Sequence, residues 1–135
     1  RVPLVCTDLV SAELSKYSAN AFLALKISFI NEIAELAERV GADVKQISEF
    51  LGLDPRIGPS LLQAGIGWGG SCLGKDTAAL SASARSHGLS MDLVEAARQV
   101  NYRQRRREAG RETLIDAELR RPRRGLKERR VLCLR

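Results

Sequence analysis

The residues of this chain that are best suited to chemistry lie in one glycine-rich segment. Four glycines fall within the six residues from Gly65 to Gly70, Cys72 follows at once, and Lys75 and Asp76 come three and four residues after the cysteine. A backbone almost free of Cβ atoms can turn sharply and lie close against a ligand. A nearby cation stabilises a thiolate, which is the nucleophilic form of cysteine. The segment therefore predicts a mobile catalytic loop that carries an activated Cys72.

The same glycines also match the G-x-G-x-x-G fingerprint of dinucleotide-binding proteins, through Gly65, Gly67 and Gly70. That fingerprint works between a strand and the helix that the strand leads into. Here residues 59–64 are predicted to form a short helix, and no β-branched run precedes the glycines. The dinucleotide interpretation of this segment is therefore disfavoured.

The composition of the whole chain points to one helical domain. Its 135 residues are enough for a single domain with a core of its own. Aromatic residues make up only 4% of the chain, and the apolar content is mostly aliphatic, which suits closely packed helices. The net charge of +6 is uneven: residues 1–97 carry 8 basic and 11 acidic side chains (net −3), and residues 98–135 carry 14 and 5 (net +9). We predict an all-α fold with a basic C-terminal part.

Several classes of protein are disfavoured. The three cysteines have neither disulfide nor zinc spacing, and there is a single histidine, so we expect reduced thiols and no metal site. No basic region followed by an apolar stretch, as in a signal peptide, stands at the N-terminus. Only nine uncharged residues separate Lys16 from Lys26, whereas a membrane span needs about 20 apolar residues. We expect a soluble, cytoplasmic protein.

The longest predicted element is a helix that Asp8 or Ser11 can cap and that Gly41 ends. Its middle, residues 19–37, is apolar on most of its circumference, which predicts burial on several sides. Because the domain is small, we expect a second copy of the chain to cover this helix. Residues 12–40 are thus predicted to form the core of a homodimer.

Three shorter patterns predict further helices, over residues 44–50, 77–87 and 91–119. Asp43 and Asp76 stand at the N-cap positions of the first two. Short extended segments are predicted at both ends of the chain, over residues 2–6 and 131–134. The second of these has no partner strand in the sequence, so we expect the chain to be part of a larger protein.

Two long segments together resemble the central domain of the UDP-glucose/GDP-mannose dehydrogenase family. One is AELSKYSANAFLALKISFINE at residues 12–32. The other is DPRIG at residues 54–58, followed by GWGGSCLGKD at residues 67–76. The resemblance covers roughly residues 8–107 and is strongest to the UDP-glucose 6-dehydrogenase branch of the family. It implies that residues 11–120 are the central helical domain.

The resemblance also implies what flanks this domain and what the whole enzyme does. Residues 1–10 would be a lead-in or the end of an N-terminal NAD-binding domain, and residues 121–135 a linker and the first strand of a C-terminal nucleotide-binding domain. The implied reaction, in nucleotide-sugar metabolism and polysaccharide biosynthesis, oxidises UDP-glucose to UDP-glucuronate with two NAD. GDP-mannose is a less favoured substrate, and UDP-N-acetylhexosamines come third. The 135-residue chain alone is expected to be inactive.

By the same resemblance, individual residues take on expected roles. Cys72 is the nucleophile that holds the sugar aldehyde as a thiohemiacetal and then as a thioester, and Cys72 and Lys75 border the cofactor. Lys16 and Asn20 match an oxyanion-stabilising pair, and their i, i+4 spacing independently places them on one helix face. Asp76 matches an aspartate that assists the water steps. The expected substrate-binding residues are Arg56, which reaches across the subunit interface, and the loop of Gln63, Ala64, Gly65, Ile66, Gly67, Trp68 and Gly69.

Some features depart from the family pattern or allow another interpretation. Leu73-Gly74 stands where the family usually has Phe-Pro or Leu-Pro, which loosens the loop before Lys75. A non-catalytic helical dimerisation module derived from the family remains the alternative function. The arginines of residues 103–124 could contact nucleic acid, but they lack interleaved aromatic residues, and we favour a solvated linker helix.

Overall fold

A computed structural model describes residues 4–119 of the chain. Within them lie four helices, α1 (Leu9–Val40), α2 (Val44–Leu53), α3 (Gly70–Ser86) and α4 (Asp92–Leu119), and no strand. The all-α prediction is confirmed. The predicted strand at residues 131–134 and the linker from residue 121 lie outside the described residues. None of the four helices is long and apolar enough to cross a membrane.

The ends of α1 are set by the residues that its sequence predicts. Asp8 is the N-cap, and its Oδ1 accepts a hydrogen bond of 2.9 Å from the backbone N–H of Ser11. Gly41 ends the helix in the left-handed conformation, with φ of +75°, which a residue without Cβ adopts readily. Asp43 caps α2 in the predicted way, through its bond to the N–H of Lys45. The capping residues that the sequence predicts therefore stand at both helix starts.

Two local predictions between α2 and α3 are wrong. Residues 59–64 do not form a helix, because Leu61 takes a φ of +64°, which a right-handed helix excludes. The helix α3 begins at Gly70 rather than at Thr77, so Asp76 lies inside it and does not cap it. Glycine is a poor helix former, but packing against the rest of the protein outweighs this weak local preference.

The long helix α1 is the centre of the fold and packs against each of the other three helices. Ala21 of α1 meets Leu80 of α3 and Val94 of α4 in the buried core. Most other buried positions on α1 are small or polar, among them Ala24 and Ser28, and Ile30 is the large apolar exception. Small side chains allow the axes of α3 and α4 to approach closely. The result is a framework in which residues of α1 and α3 that are far apart in sequence face each other.

Acidic side chains of α1 pair with arginines of α4. Glu32 accepts a hydrogen bond from Arg103, and Glu38 binds both Arg107 and Arg111. The arginine-rich helix predicted as a solvated linker is thus docked on α1 along this face, and its charge there is partly neutralised. The arginines from residue 120 onward lie outside the described residues.

Candidate active site

Two side chains of α1 converge on one carboxylate of α3. Lys16 and Asn20 both donate to Oδ2 of Asp76, with an Nζ–Oδ2 distance of 3.3 Å and an Nδ2–Oδ2 distance of 2.5 Å. Asp76 is only 2% exposed, whereas the Lys16 side chain is 64% exposed. The spacing of Lys16 and Asn20 in the sequence places them on one helix face. The fold then brings Asp76, which is 56 residues after Asn20, into contact with both.

The hydrogen bond from Asn20 is the largest cause that holds the pKa of Asp76 below its usual range. Burial opposes this by raising the pKa, and the ammonium groups of Lys16 and Lys75 lower it further. Asp76 is therefore a buried carboxylate that keeps its charge at neutral pH.

The donors of this cluster are oriented by Asp76 but are not used up by it. A lysine ammonium has three N–H donors and a primary amide has two. In this structure Lys16 and Asn20 each use one N–H group to donate a hydrogen bond to Asp76. The remaining N–H groups are available to an oxygen of a bound molecule, which a cation and an amide together suit well if that oxygen gains negative charge.

Cys72 lies in the first turn of α3 and is exposed. It precedes Asp76 by four residues, so the two side chains lie on the same side of the helix, about 5–6 Å apart at Cβ. The hydroxyl of Ser71 is 3.8 Å from the sulfur. The positive end of the helix dipole also lies at this first turn, where it favours negative charge. Cys72 is therefore a reachable thiol beside the Asp76 cluster.

An open cleft of about 400 Å³ lies between α1 and α3 at this cluster. Lys75 reaches it as an exposed side chain whose Nζ is 3.6 Å from Oδ1 of Asp76. Three further lining residues on α1 were not singled out from the sequence: Ala12, Glu13 and Tyr17. Nowhere in residues 4–119 do three or more potential metal ligands cluster.

The predicted substrate loop, residues 63–69, leads directly into α3 at Gly70. Gln63 and Ala64 line a second cleft of about 520 Å³ beside α2. Trp68 is 7% exposed, and its indole Nε1 donates to the hydroxyl of Ser28 at 2.8 Å. The indole ring is therefore packed into the domain and offers little free surface to a ligand.

Arg56 stands apart from the Asp76 cluster in this structure. It lies in the turn after α2, and its guanidinium binds the carboxylate of Asp54, with an Nε–Oδ1 distance of 2.9 Å. The carbonyls of Ile57 and Gly58 in the same turn accept hydrogen bonds from Lys26 of α1. The turn is thus tied to α1 while Arg56 itself is exposed.

Sequence reasoning missed Asn101 and Gln104, which hold the glycine-rich loop from α4. A signal for them was present: Val94, Ala97, Asn101 and Gln104 recur at intervals of three and four residues, and all are buried. Two carboxamides on the buried side of a helix need partners that the helix itself does not supply. The glycine-rich loop supplies those partners.

Most of the chain matches the model of one known protein family. The model of the UDP-glucose/GDP-mannose dehydrogenase family, central domain, matches residues 10–103, which is more than half of the chain. The chain belongs to this family. The match begins just inside α1 and ends within α4, so the central domain of the family coincides with the four-helix framework described above.

Individual proteins similar to this chain also carry names that belong to this family. The chain is 56% identical over 103 residues to UDP-glucose 6-dehydrogenase TuaD of Bacillus subtilis (strain 168), covering 76% of this chain and 22% of that protein. It is 50% identical over 115 residues to a UDP-glucose 6-dehydrogenase of Rhizobium meliloti (strain 1021), covering 85% of this chain and 26% of that protein. The chain therefore spans about a quarter of the length of these relatives.

A solved structure extends the similarity to three dimensions. The UDP-glucose dehydrogenase from the hyperthermophilic archaeon Pyrobaculum islandicum matches with a TM-score of 0.73 at 46% sequence identity. The match covers 76% of this chain and 24% of that one. The central-domain fold is thus shared with a solved member of the family.

Proposed function

We propose that the full-length protein is a nucleotide-sugar dehydrogenase that oxidises the C6 alcohol of UDP-glucose to a carboxylate. The observation that carries this proposal is the convergence of Lys16 and Asn20 on Asp76, with Cys72 one turn away on the same side of α3. Family membership supports the reaction class, and the UDP-glucose 6-dehydrogenases among the relatives support the substrate.

NAD, when bound, supplies the hydride acceptor, and two NAD are used because each accepts one of the two hydrides that this oxidation releases. Within residues 4–119 no strand precedes Gly65, Gly67 and Gly70, so these glycines lack the strand–turn–helix setting of a dinucleotide site. We therefore assign NAD binding mainly to a part of the full-length protein outside these residues. Cys72 and Lys75 are the residues of this chain that we propose to border the cofactor.

Cys72 makes the four-electron oxidation possible at one site. The first oxidation gives an aldehyde at C6; the thiolate of Cys72 adds to this carbon, a C–S bond forms, and the carbonyl oxygen gains negative charge. From this thiohemiacetal oxyanion a hydride leaves C6 for the second NAD, and the oxygen regains its carbonyl double bond in the thioester, so no proton is lost in this step. Water then attacks the thioester, and the C–S bond breaks to release the carboxylate and the thiolate. Covalent capture keeps the aldehyde from leaving between the two oxidations.

Lys16 and Asn20 stabilise the oxygen that becomes negative in this sequence. Their free N–H groups point from one face of α1, and Asp76 fixes their orientation before substrate arrives. Because the pKa of Asp76 is lowered, its carboxylate is a weak proton acceptor. We therefore assign Asp76 mainly to orienting the two donors, with assistance to the hydrolytic water as a second role.

We also propose that two chains associate through the exposed apolar face of α1. Phe22, Phe29 and Leu36 are exposed and recur every seven residues, which places them along one side of the helix. A contiguous apolar face of this kind marks an interaction surface. In such a dimer, Arg56 of one protomer is proposed to reach the substrate of its partner.

The test is an NAD-reduction assay of the full-length protein with UDP-glucose, GDP-mannose and a UDP-N-acetylhexosamine as alternative substrates. We expect turnover with UDP-glucose and the release of two NADH for each carboxylate formed. Preferential oxidation of GDP-mannose would overturn the substrate assignment. Absence of turnover with all three would favour the alternative function, a non-catalytic dimerisation module.

A further inference from the structure

The backbone of the glycine-rich loop is held by three side-chain amides, Asn31 of α1 and Asn101 and Gln104 of α4, which we call the amide clamp. Gly65 donates its N–H to Oδ1 of Asn31 at 2.8 Å, and its carbonyl accepts from Nε2 of Gln104 at 2.8 Å. Trp68 donates its N–H to Oδ1 of Asn101 at 2.7 Å, and its carbonyl accepts from Nδ2 of the same residue at 2.9 Å. Both polar backbone groups of both loop residues are thus occupied.

The contact between Asn101 and the loop leaves no space for a side chain at Gly67. This residue has a φ of +103°, and a Cβ built on it would collide with Oδ1 of Asn101. The indole of Trp68 closes the loop from the other side through Ser28, whose hydroxyl in turn donates to the carbonyl of Ala97. The shape of the loop is therefore specified by α1 and α4 together and not by its own sequence alone.

Stability alone is a poor explanation for the clamp. All three amides are at most 8% exposed, and Nδ2 of Asn31 has no hydrogen-bond partner. A buried donor without a partner costs free energy on folding, so the asparagine at position 31 is not the choice that stability alone would favour. What these amides do is hold the backbone of the loop in one position.

The clamp also determines where the reactive helix begins. Trp68 is held two residues before Gly70, the first residue of α3, and Cys72 lies in the first turn of that helix. A displacement of Trp68 would therefore move the loop and the start of α3 together. The loop and the nucleophile share one anchor on α4.

We propose that Asn31, Asn101 and Gln104 are positioning residues for the oxidation of the nucleotide sugar: they hold residues 65–69 in the binding conformation before the substrate arrives. This inference rests on the proposed function. The physical reason is preorganisation, since a loop that is already ordered loses less conformational entropy when it binds a ligand.

The experiment uses the full-length protein and the variant Asn101→Ala. We expect kcat/KM for UDP-glucose to fall about 10- to 100-fold, the size of effect that a displacement of about 1 Å produces. The KM for NAD should change much less than the KM for UDP-glucose, because we assign NAD binding mainly to a part of the full-length protein outside residues 4–119. Hydrogen–deuterium exchange at the amides of residues 65–69 should become faster in the variant, which reports the loosened loop directly.

Two controls separate positioning from general destabilisation. Gln99→Ala removes an exposed carboxamide from the same helix, and Val94→Ala makes a cavity in the core that α4 shares with α1 and α3. We expect Gln99→Ala to behave as wild type. Val94→Ala should lower the melting temperature without raising the KM for UDP-glucose or the exchange rate of the loop amides.

A second variant approaches the same contact from the loop. Gly67→Ala places a Cβ against Oδ1 of Asn101 and should also lower kcat/KM for UDP-glucose. In the double variant with Asn101→Ala the collision is gone while the strain of an alanine at this positive φ remains, so the combined loss should be smaller than the product of the two single losses. Multiplicative losses would show that the two residues act independently and would overturn the clamp.

The outcomes also distinguish this inference from the proposed function. A wild-type protein that oxidises none of the nucleotide sugars refutes the proposed function, and the clamp's catalytic role with it. A wild-type protein that oxidises UDP-glucose, with Asn101→Ala matching Val94→Ala in KM and in loop exchange, refutes the clamp alone. Selective loss of kcat/KM for the sugar, with faster exchange confined to the loop, supports the clamp.

Discussion

Asn20 of α1 and Asp76 of α3 are joined by a hydrogen bond of 2.5 Å between Nδ2 and Oδ2. This bond links the two helices at the candidate site, and Lys16 shares the same oxygen. Because it is the largest cause of the lowered pKa of Asp76, it couples the charge of the site to the packing of α1 against α3.

The first prediction concerns pH and stability. The pKa of Asp76 is lower in the folded protein than in the unfolded chain, where it is about 3.9. The carboxylate therefore stabilises the fold above about pH 4, and this contribution is lost as the pH falls through the folded-state pKa. Urea unfolding of the full-length protein should show a stability difference between wild type and Asp76→Asn that is constant near neutral pH and shrinks in acid.

The variant Asn20→Ala provides a check on the cause. It removes the largest source of the lowered pKa, so replacing Asp76 should then cost less stability than it does in the wild type. Equal costs in both backgrounds would mean that the bond between Asn20 and Asp76 does not carry the effect.

The second prediction concerns the nucleophile. Cys72→Ser in the full-length protein should abolish formation of the carboxylate, because a serine hydroxyl is far less acidic than a thiol and rarely ionises at neutral pH. Binding of UDP-glucose, measured by calorimetry, should survive, since the loop from Gly65 to Gly69 is unchanged. A covalent sugar adduct detected by mass spectrometry in the wild type should be absent from the variant.

Cys6→Ser is the matched control for this experiment, because Cys6 is also an exposed free thiol but lies before α1. It should retain wild-type turnover. Ordinary steady-state conversion by Cys72→Ser would disprove covalent catalysis at this position and leave the glycine-rich loop a structural element.

The third prediction concerns Lys16. Removing its ammonium group in Lys16→Ala should lower kcat by at least the 10²–10³-fold expected for loss of one oxyanion donor. Arg39→Ala, which removes an exposed cation from the other end of the same helix, should leave kcat unchanged. If the kcat of Lys16→Ala matched that of the Arg39→Ala control, Lys16 would be an ordinary surface residue of α1 with no part in the reaction.

The fourth prediction concerns assembly. A charge placed in the apolar face of α1 by Phe29→Glu should dissociate the proposed dimer, because burying an unpaired carboxylate is strongly unfavourable. Sedimentation of the full-length protein at micromolar concentration is the measurement, and Gln99→Glu, an exposed change on α4, is the control. A wild-type protein that sediments as a monomer would count against the dimer.

Much of the helical framework could be predicted from the sequence. Capping residues such as Asp8, Gly41 and Asp43 act on neighbouring backbone groups, so their effect is visible in the sequence alone. Two predictions were wrong: a helix over residues 59–64 and a start of α3 at Thr77. The conformation of both segments depends on contacts with distant residues. There the local preference of a glycine or of an aspartate is weak beside the free energy of packing.

The sequence by itself determined the reactive groups: a cysteine with a lysine and an aspartate after a glycine-rich stretch, and a lysine and an asparagine one helical turn apart. Only the tertiary structure decided that Asp76 turns inward to receive Lys16 and Asn20 instead of capping a helix. It also decided that amides of α1 and α4 fix the loop. The physical reason is that these hydrogen bonds join residues 33 to 60 positions apart, and bringing such residues together costs conformational entropy. The packing of the helices offsets that cost, so the bonds form only in the folded protein.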